Sequence, residues 1–166
     1  MGAEGEAILF AAMHAIENKQ PLIIVAQGGG MRMQASCISL SQMTRTTLAI
    51  NEVKAAGLPY IVIMSDPVAG GITASYAMLG DFHIAEPGAT VAFAGRRVIQ
   101  GTVKEELPSS FQLSESLTGF IDRICHRKNL NEEIGKLLSI LLKKNSISTE
   151  EINETSEDIK QISKTA

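Results

Sequence analysis

The sequence predicts an α/β protein built on parallel strands, and three observations carry that expectation. Two short apolar runs, residues 22–26 (LIIVA) and 59–65 (PYIVIMS), lack the alternation of a half-exposed strand. Each therefore reads as a strand buried on both faces. Each run is followed by a glycine cluster, Gly28-Gly29-Gly30 and Gly70-Gly71. Each cluster precedes a segment with helical spacing, and strand, glycine turn, helix, repeated, is the pattern of right-handed crossover units.

The elements follow in order. Residues 5–19 place Ile8, Leu9, Ala12, Met13 and Ile16 at helical spacing, and Pro21 stops that helix. After the first strand a helix is expected over residues 33–56, with Ile38, Met43, Leu48 and Val53 among its apolar positions and Gly57 closing it. The second strand and glycine turn lead to a short helix at 72–79. Strands are expected at 82–85 and 90–94, and helices at 97–106 and 130–144. Residues 1–144 then form one folded domain. Residues 145–166 carry five acidic and two basic side chains and no aromatic, so they read as a polar C-terminal tail.

Composition excludes several classes of function. A chain of 166 residues with 45% hydrophobic residues suits one aliphatic-cored domain. A formal charge of -3 and 4% aromatics, with no Trp, give no electrostatic or stacking surface for nucleic acid. No apolar run reaches the ~18–20 residues a membrane span needs. The apolar stretch 7–13 follows Glu4 and Glu6, the wrong charge for a secretory leader, and Glu6 also breaks the myristoylation pattern. Cys37 and Cys125 are too few for a disulfide framework or a four-thiolate zinc site. The expected location is cytoplasmic. A helix beginning at once at Met1 suggests the middle of a domain whose first part is missing.

The glycine turns are the most informative candidates for chemistry. Each lies at the C-terminal end of a buried strand, where ligands collect in α/β folds. Glycine permits close approach of a ligand or another backbone, and free N–H groups at a following helix favour negative charge. Two such turns together would present backbone donors to a carbonyl oxygen that becomes an oxyanion. A phosphate-loop reading fails, because no Gly-x-x-x-x-Gly-Lys-Ser/Thr is present. His14, His83 and His126 lack partners at metal-ligand spacing. Ser75, with Asp81 and His83 downstream, is a candidate nucleophile, but it lacks the Gly-x-Ser-x-Gly elbow. Small neighbours at Thr73, Ala74 and Ala77 favour a packing role for it. Asp66, Glu86 and Glu105 are isolated carboxylates with no partner pattern.

Several strings carry a family resemblance. Gly29-Gly30-Met31-Arg32-Met33-Gln34 is similar to the Gly-Gly-Ala-Arg-Met-Gln segment of the carboxyltransferase β subunit of bacterial-type, heteromeric acetyl-CoA carboxylase. Gly57-Leu58-Pro59-Tyr60, Asp66-Pro67 with Gly70-Gly71, Leu79-Gly80-Asp81 and Ile84-Ala85-Glu86-Pro87 continue the match. So do Phe93-Ala94-Gly95 with Arg97-Val98-Ile99, Leu107-Pro108, and Phe111-Gln112 with Ser114-Glu115. The resemblance spans roughly residues 1–128 in order and spacing.

That resemblance implies a crotonase-like fold of repeated ββα units, incomplete at its N-terminus. It also implies carboxyl transfer from carboxybiotin, carried on a separate biotin carboxyl carrier protein, to acetyl-CoA, giving malonyl-CoA for fatty acid synthesis. No side-chain base is needed, because the biotin nitrogen takes the methyl proton. By position, Gly70 and Gly71 match the family's oxyanion glycines, and Gly29 and Gly30 its first glycine turn beside the CoA site. Arg32 and Arg97, with Gly95, match positions at the substrate. The implied partners are a carboxyltransferase α subunit, the carrier protein and biotin carboxylase. No cofactor or metal is expected on this chain, and the family's zinc ribbon is absent from it. Ala35-Ser36 replace the usual Glu-Gly, Arg96 a proline and Leu113 an arginine. The competing readings are a remnant that only binds its partner subunit, an enoyl-CoA hydratase or isomerase, and a Clp-type serine peptidase using Ser75. The hydratase reading requires a carboxylate near the oxyanion hole, and residues 70–79 contain none.

Overall fold

The structure, a computed structural model, describes residues 2–30, 32–117 and 119–142. The chain divides into two compact units, residues 1–126 and 127–166, which are described separately.

The first unit is organised on β2 (Tyr60–Ala69), whose first six residues are all buried. On one side β1 (Leu22–Gly28) pairs with it in parallel, Leu22 opposite Tyr60 through Ala26 opposite Met64. On the other side β3 (Phe82–Ala85) pairs with its first half and the short β4 (Val91–Ala92) with its last residues, both parallel. β5 (Arg123–Ile124) adds to β3, giving the order β1-β2-β3-β5. The parallel sheet expected from the unalternating runs is present, and the strand at 90–94 shortens to two residues.

One face of the sheet carries the helices. Tyr60, Val62 and Met64 pack with Ala12 and Ala15 of α1 (Gly2–Asn18) and with Ile50 and Val53 of α2 (Ser36–Ala55). Each large aliphatic side chain buried this way contributes about 1.5–3 kcal/mol. Small residues set the fit of α1 on α2. A Cβ on Gly5 would lie 1.9 Å from Gln42 Oε1, and Arg45 Nη2 meets Glu6 Oε1 at 2.6 Å beside it. The face of α1 turned inward therefore bears Gly5, Ala12 and Ala15, while Met13, expected in the core, is 59% exposed. On α2 the buried line runs Ser39, Thr46, Ile50, Val53, so Ile38 and Leu48 point outward instead of inward.

Two further expectations change. β1 is not buried on both faces: Leu22 and Ala26 are covered, but Val25 is 65% exposed. Ile23 and Val25 alternate with Leu22 and Ala26 onto the face away from α1 and α2, and that face of β1 is left open by the described elements. The helix expected at 72–79 is a run of turns followed by a 3-10 segment, Tyr76–Leu79. Here hydroxyls compete for the backbone acceptors a helix would use. Thr73 Oγ1 donates to the carbonyls of Gly70 (2.8 Å) and Ala92 (2.9 Å), and Ser75 Oγ to that of Gly71 (2.6 Å). The dipole of a helix start therefore adds nothing at the second glycine turn.

α3 (Arg96–Val103) falls close to its expected place and ends at Lys104, which takes a left-handed conformation. In the second unit α4 (Leu130–Leu141) forms as expected up to residue 142. The polar tail expected at 145–166 lies outside the described residues.

Candidate active site

Because β1 and β2 run parallel, their C-terminal ends share one edge, and Gly28 pairs with Val68 there. The two glycine turns meet just beyond it. A Cβ on Gly70 would lie 3.2 Å from Gly30 Cα and 3.7 Å from Gly29 O; one on Gly30 would lie 3.5 Å from Gly70 Cα. Gly70 has φ +60° and Gly30 φ +115°, both in the region side chains disfavour. Glycine is required at this crossing for two reasons at once, space and conformation.

The backbone donors of the turns are not equivalent. Gly70 N–H is shared between the carbonyls of Ala92 (3.1 Å) and Phe93 (3.0 Å), tying the turn to the end of β4. Gly71 N–H and Gly30 N–H have no backbone acceptor among the described residues. Gly71 and Gly30 line one cavity of about 380 Å³, together with Arg32, Gln42 and Ser75. Unpaired N–H groups beside a cavity favour an anionic oxygen.

The side chains around that cavity set its chemistry. Arg32 is exposed at its rim, and its carbonyl accepts Ser39 Oγ at 3.0 Å, which fastens the first glycine loop to α2. Among the described residues no histidine lines it, and the carboxylate at its wall is that of Glu4, in the first turn of α1. Tyr76 also lines it, and burial followed by the Glu4 charge holds its hydroxyl above the usual tyrosine range. Glu4, Gln42 and Tyr76 had no local sequence signal, because the packing of α1 on α2 brings them here.

The predicted residues divide as follows. Gly30, Arg32 and Gly71 reach the cavity, and Gly29 and Gly70 form the crossing behind it. Gly95 and Arg97 lie outside it, at the start of α3, where Arg97 is exposed. The Ser75, His83, Asp81 arrangement is not assembled. Ser75 Oγ donates to Gly71 O, Asp81 accepts Tyr60 N–H and pairs with Lys54 at 2.8 Å, and His83 faces Asp122 at 3.6 Å. Burial pushes the His83 imidazole below its usual range despite Asp122. Among the described residues, no three His, Cys, Asp or Glu side chains gather to hold a metal. No described helix is long and apolar enough to cross a membrane.

Comparisons with known proteins add to this geometry. Residues 2–160 match the family described as "Carboxyl transferase domain". The chain is 66% identical, over 99% of its own length, to the acetyl-coenzyme A carboxylase carboxyl transferase subunit beta of Pelagibacter ubique, covering 54% of that protein. It spans about half the length of the curated relatives it matches. Among solved structures it is similar to transcarboxylase 12S with methylmalonyl-coenzyme A and methylmalonic acid bound (TM-score 0.71, 28% identity). That match covers 81% of this chain and 27% of the other. A Pseudomonas malonate decarboxylase hetero-dimer shares the fold at TM-score 0.66 and 18% identity, over 97% of this chain and 72% of that one. The fold is thus the crotonase-like one the sequence strings imply.

Proposed function

The chain belongs to the carboxyl transferase domain family, and from that premise we propose that it works in carboxyl transfer to acetyl-CoA, forming malonyl-CoA. The observation that carries the reading is the pair of unspent N–H groups, Gly30 and Gly71, at one cavity. A thioester oxygen seated there receives two backbone hydrogen bonds, which strengthen as the α-carbon loses its proton and the oxygen takes the enolate charge. Gly70 holds the turn in place rather than donating, since its N–H is spent on Ala92 and Phe93.

The chain's residues are suited to stabilising the enolate and not to removing the proton. Ser75 is engaged with Gly71 O, no imidazole lines the cavity among the described residues, and its carboxylate, Glu4, is exposed on α1. Carboxybiotin on its carrier protein supplies the CO2 equivalent and the proton acceptor when it docks. Arg32, with Gly29 beside it, is assigned to the CoA side, where its charge suits phosphate. Arg97 and Gly95 are assigned to the outer rim of the substrate path. A carboxyltransferase α subunit, the carrier protein and biotin carboxylase are the partners of this reading, with biotin held by the carrier and none by this chain. The setting is cytoplasmic fatty acid synthesis.

The experiment is malonyl-CoA formation by the chain reconstituted with the α subunit and carboxylated carrier. Gly71→Val keeps the N–H but puts a branched side chain beside it; by blocking the approach of the thioester oxygen to that donor it should lower turnover by about 10²–10³-fold, as loss of one oxyanion donor does. A second reading, hydration or isomerisation of an enoyl-CoA, is favoured by one observation, the Glu4 carboxylate at the cavity. Glu4→Gln should leave carboxyl transfer within about twofold. If it abolishes activity toward crotonyl-CoA while Gly71→Val leaves malonyl-CoA formation intact, the second reading replaces the first.

A further inference from the structure

Gln27 is the one polar side chain of β1, and it stands where the ladder to β2 loses its register. Ala26 pairs with Met64 and Gly28 with Val68, so Gln27 alone faces Ser65, Asp66 and Pro67. Such a bulge interrupts the pairing of the two strands just before they end. Pro67 adds to this, because it has no N–H to give to a ladder. Gln27 spans the gap with its side chain, Nε2 donating to Asp66 O at 2.8 Å.

Asp66 is itself held from the other side. Its Oδ1 accepts Thr90 N–H at 2.8 Å, and Thr90 O accepts Val68 N–H at 2.8 Å. Thr90 directly precedes β4, whose last residue, Ala92, shares the Gly70 N–H with Phe93. The second glycine turn is thus tied to β4, and the first to α2 through Ser39 and Arg32 O. The bond from Gln27 to Asp66 ties the strand of one turn to the strand of the other, two residues before Gly29 and four before Gly70. Gly30 and Gly70 meet without side chains to interlock, so their contact alone does not fix how the turns are spaced.

We propose that Gln27 is a positioning residue for the thioester site, setting through Asp66 the spacing of the Gly30 and Gly71 N–H groups. This rests on the oxyanion reading of those groups and deepens it, by naming a residue outside the donor pair on which their geometry depends. Gln27 and Asp66 are both exposed, and the net stability from one such hydrogen bond is modest. Its consequence lies in geometry, because a displacement of about 1 Å at a reacting centre can cost about 10²-fold in rate. Gln27 also lines the cavity, so the bond lies beside the donors it places.

The test is steady-state kinetics of malonyl-CoA formation by the chain reconstituted with the α subunit and carboxylated carrier. Gln27→Met keeps the length of the side chain and removes the donor. It should lower kcat at least about tenfold, with KM for acetyl-CoA within about twofold and the urea midpoint of the chain unchanged. Added to Gly71→Val, where the oxygen no longer reaches one donor, Gln27→Met should cost less than about twofold further. Gln27→Glu, equal in size and unable to donate at neutral pH, should match Gln27→Met. A kcat within about twofold of the parent in either variant, with turnover lost in Gly71→Val, overturns the positioning role and leaves the oxyanion reading standing. An equal loss from Gln27→Met in both backgrounds overturns it as well, since a merely structural contribution is additive. Unimpaired turnover by Gly71→Val overturns the oxyanion reading and the proposal together.

Discussion

Gly70 and Gly71 are neighbours in sequence yet differ in what their backbones are free to do. Gly70 spends its N–H on two carbonyls and lies so near Gly30 that a Cβ would sit 3.2 Å from its Cα, whereas Gly71 N–H has no backbone acceptor among the described residues at the cavity. Substitution should therefore separate stability from activity. Gly70→Ala should destabilise the fold by about 1–3 kcal/mol, because alanine at φ +60° is strained and its methyl group meets Gly30 Cα. Urea unfolding checks this, and an unchanged midpoint would mean that the crossing is looser than described. Ser75→Ala is expected to change turnover little, since Ser75 Oγ closes the turn by bonding Gly71 O. The sequence placed the two glycines together; their division of roles depends on where the end of β4 delivers the carbonyls of Ala92 and Phe93.

At the scale of elements, β3 shows how one strand links packing to pH. The His83 backbone N–H donates to Asp122 Oδ2 at 2.7 Å, just before β5 begins, while the His83 ring is largely buried. Burial lowers the folded-state pKa below the 6.5 of the free side chain, a shift that Asp122 opposes and Lys54 assists. The unfolded chain then binds the proton more readily, so stability rises with pH in this range and is lost as pH falls through about 6.5. The urea midpoint should be lower at pH 5.5 than at pH 7.5, and His83→Gln should shrink that difference. A difference unaffected by the substitution would assign the acid sensitivity to other groups. The second glycine turn makes a related point. Its helical spacing was visible in the sequence; Ala74 N–H reaches Gly70 O as in a helix, but Ser75 N–H goes to Ile72 O and Ser75 Oγ takes the carbonyl of Gly71, and turns stand in place of a helix.

For the whole molecule, the chemistry asks for more than one chain presents. Carboxyl transfer brings together two bulky substrates whose reacting atoms must approach within about 3–3.5 Å. At the cavity, the glycine-turn N–H groups of Gly30 and Gly71 have no backbone acceptor among the described residues, enough for one oxyanion. The surface of the first unit also carries Phe10, Val25, Phe93 and Phe120, all more than half exposed, the kind of apolar surface that favours association. The purified 166-residue chain should therefore show no carboxyl transfer without an α subunit, and should elute from a sizing column as oligomers. Measurable turnover by a monodisperse monomer would overturn this.

What was legible in the sequence follows from local chemistry. Both unalternating aliphatic runs formed parallel strands, residues 60–65 covered on both faces and residues 22–26 on one, and the glycine clusters marked the edge where those strands end. The strings around Gly29, Gly70 and Phe93 carried the family. What was not legible depends on contacts between segments far apart in the chain. Val25 is exposed because, with Ile23, it lies on the face of β1 away from α1 and α2, which no described element covers there. Met13 faces out because Gly5 and Ala15 let α1 lie close on α2 and the sheet. Glu4 shares a cavity with Gly71, 67 residues away, because α1 packs on α2 beside the first glycine turn. Periodicity states which side chains would be content inside; only the packed neighbours decide which of them are covered.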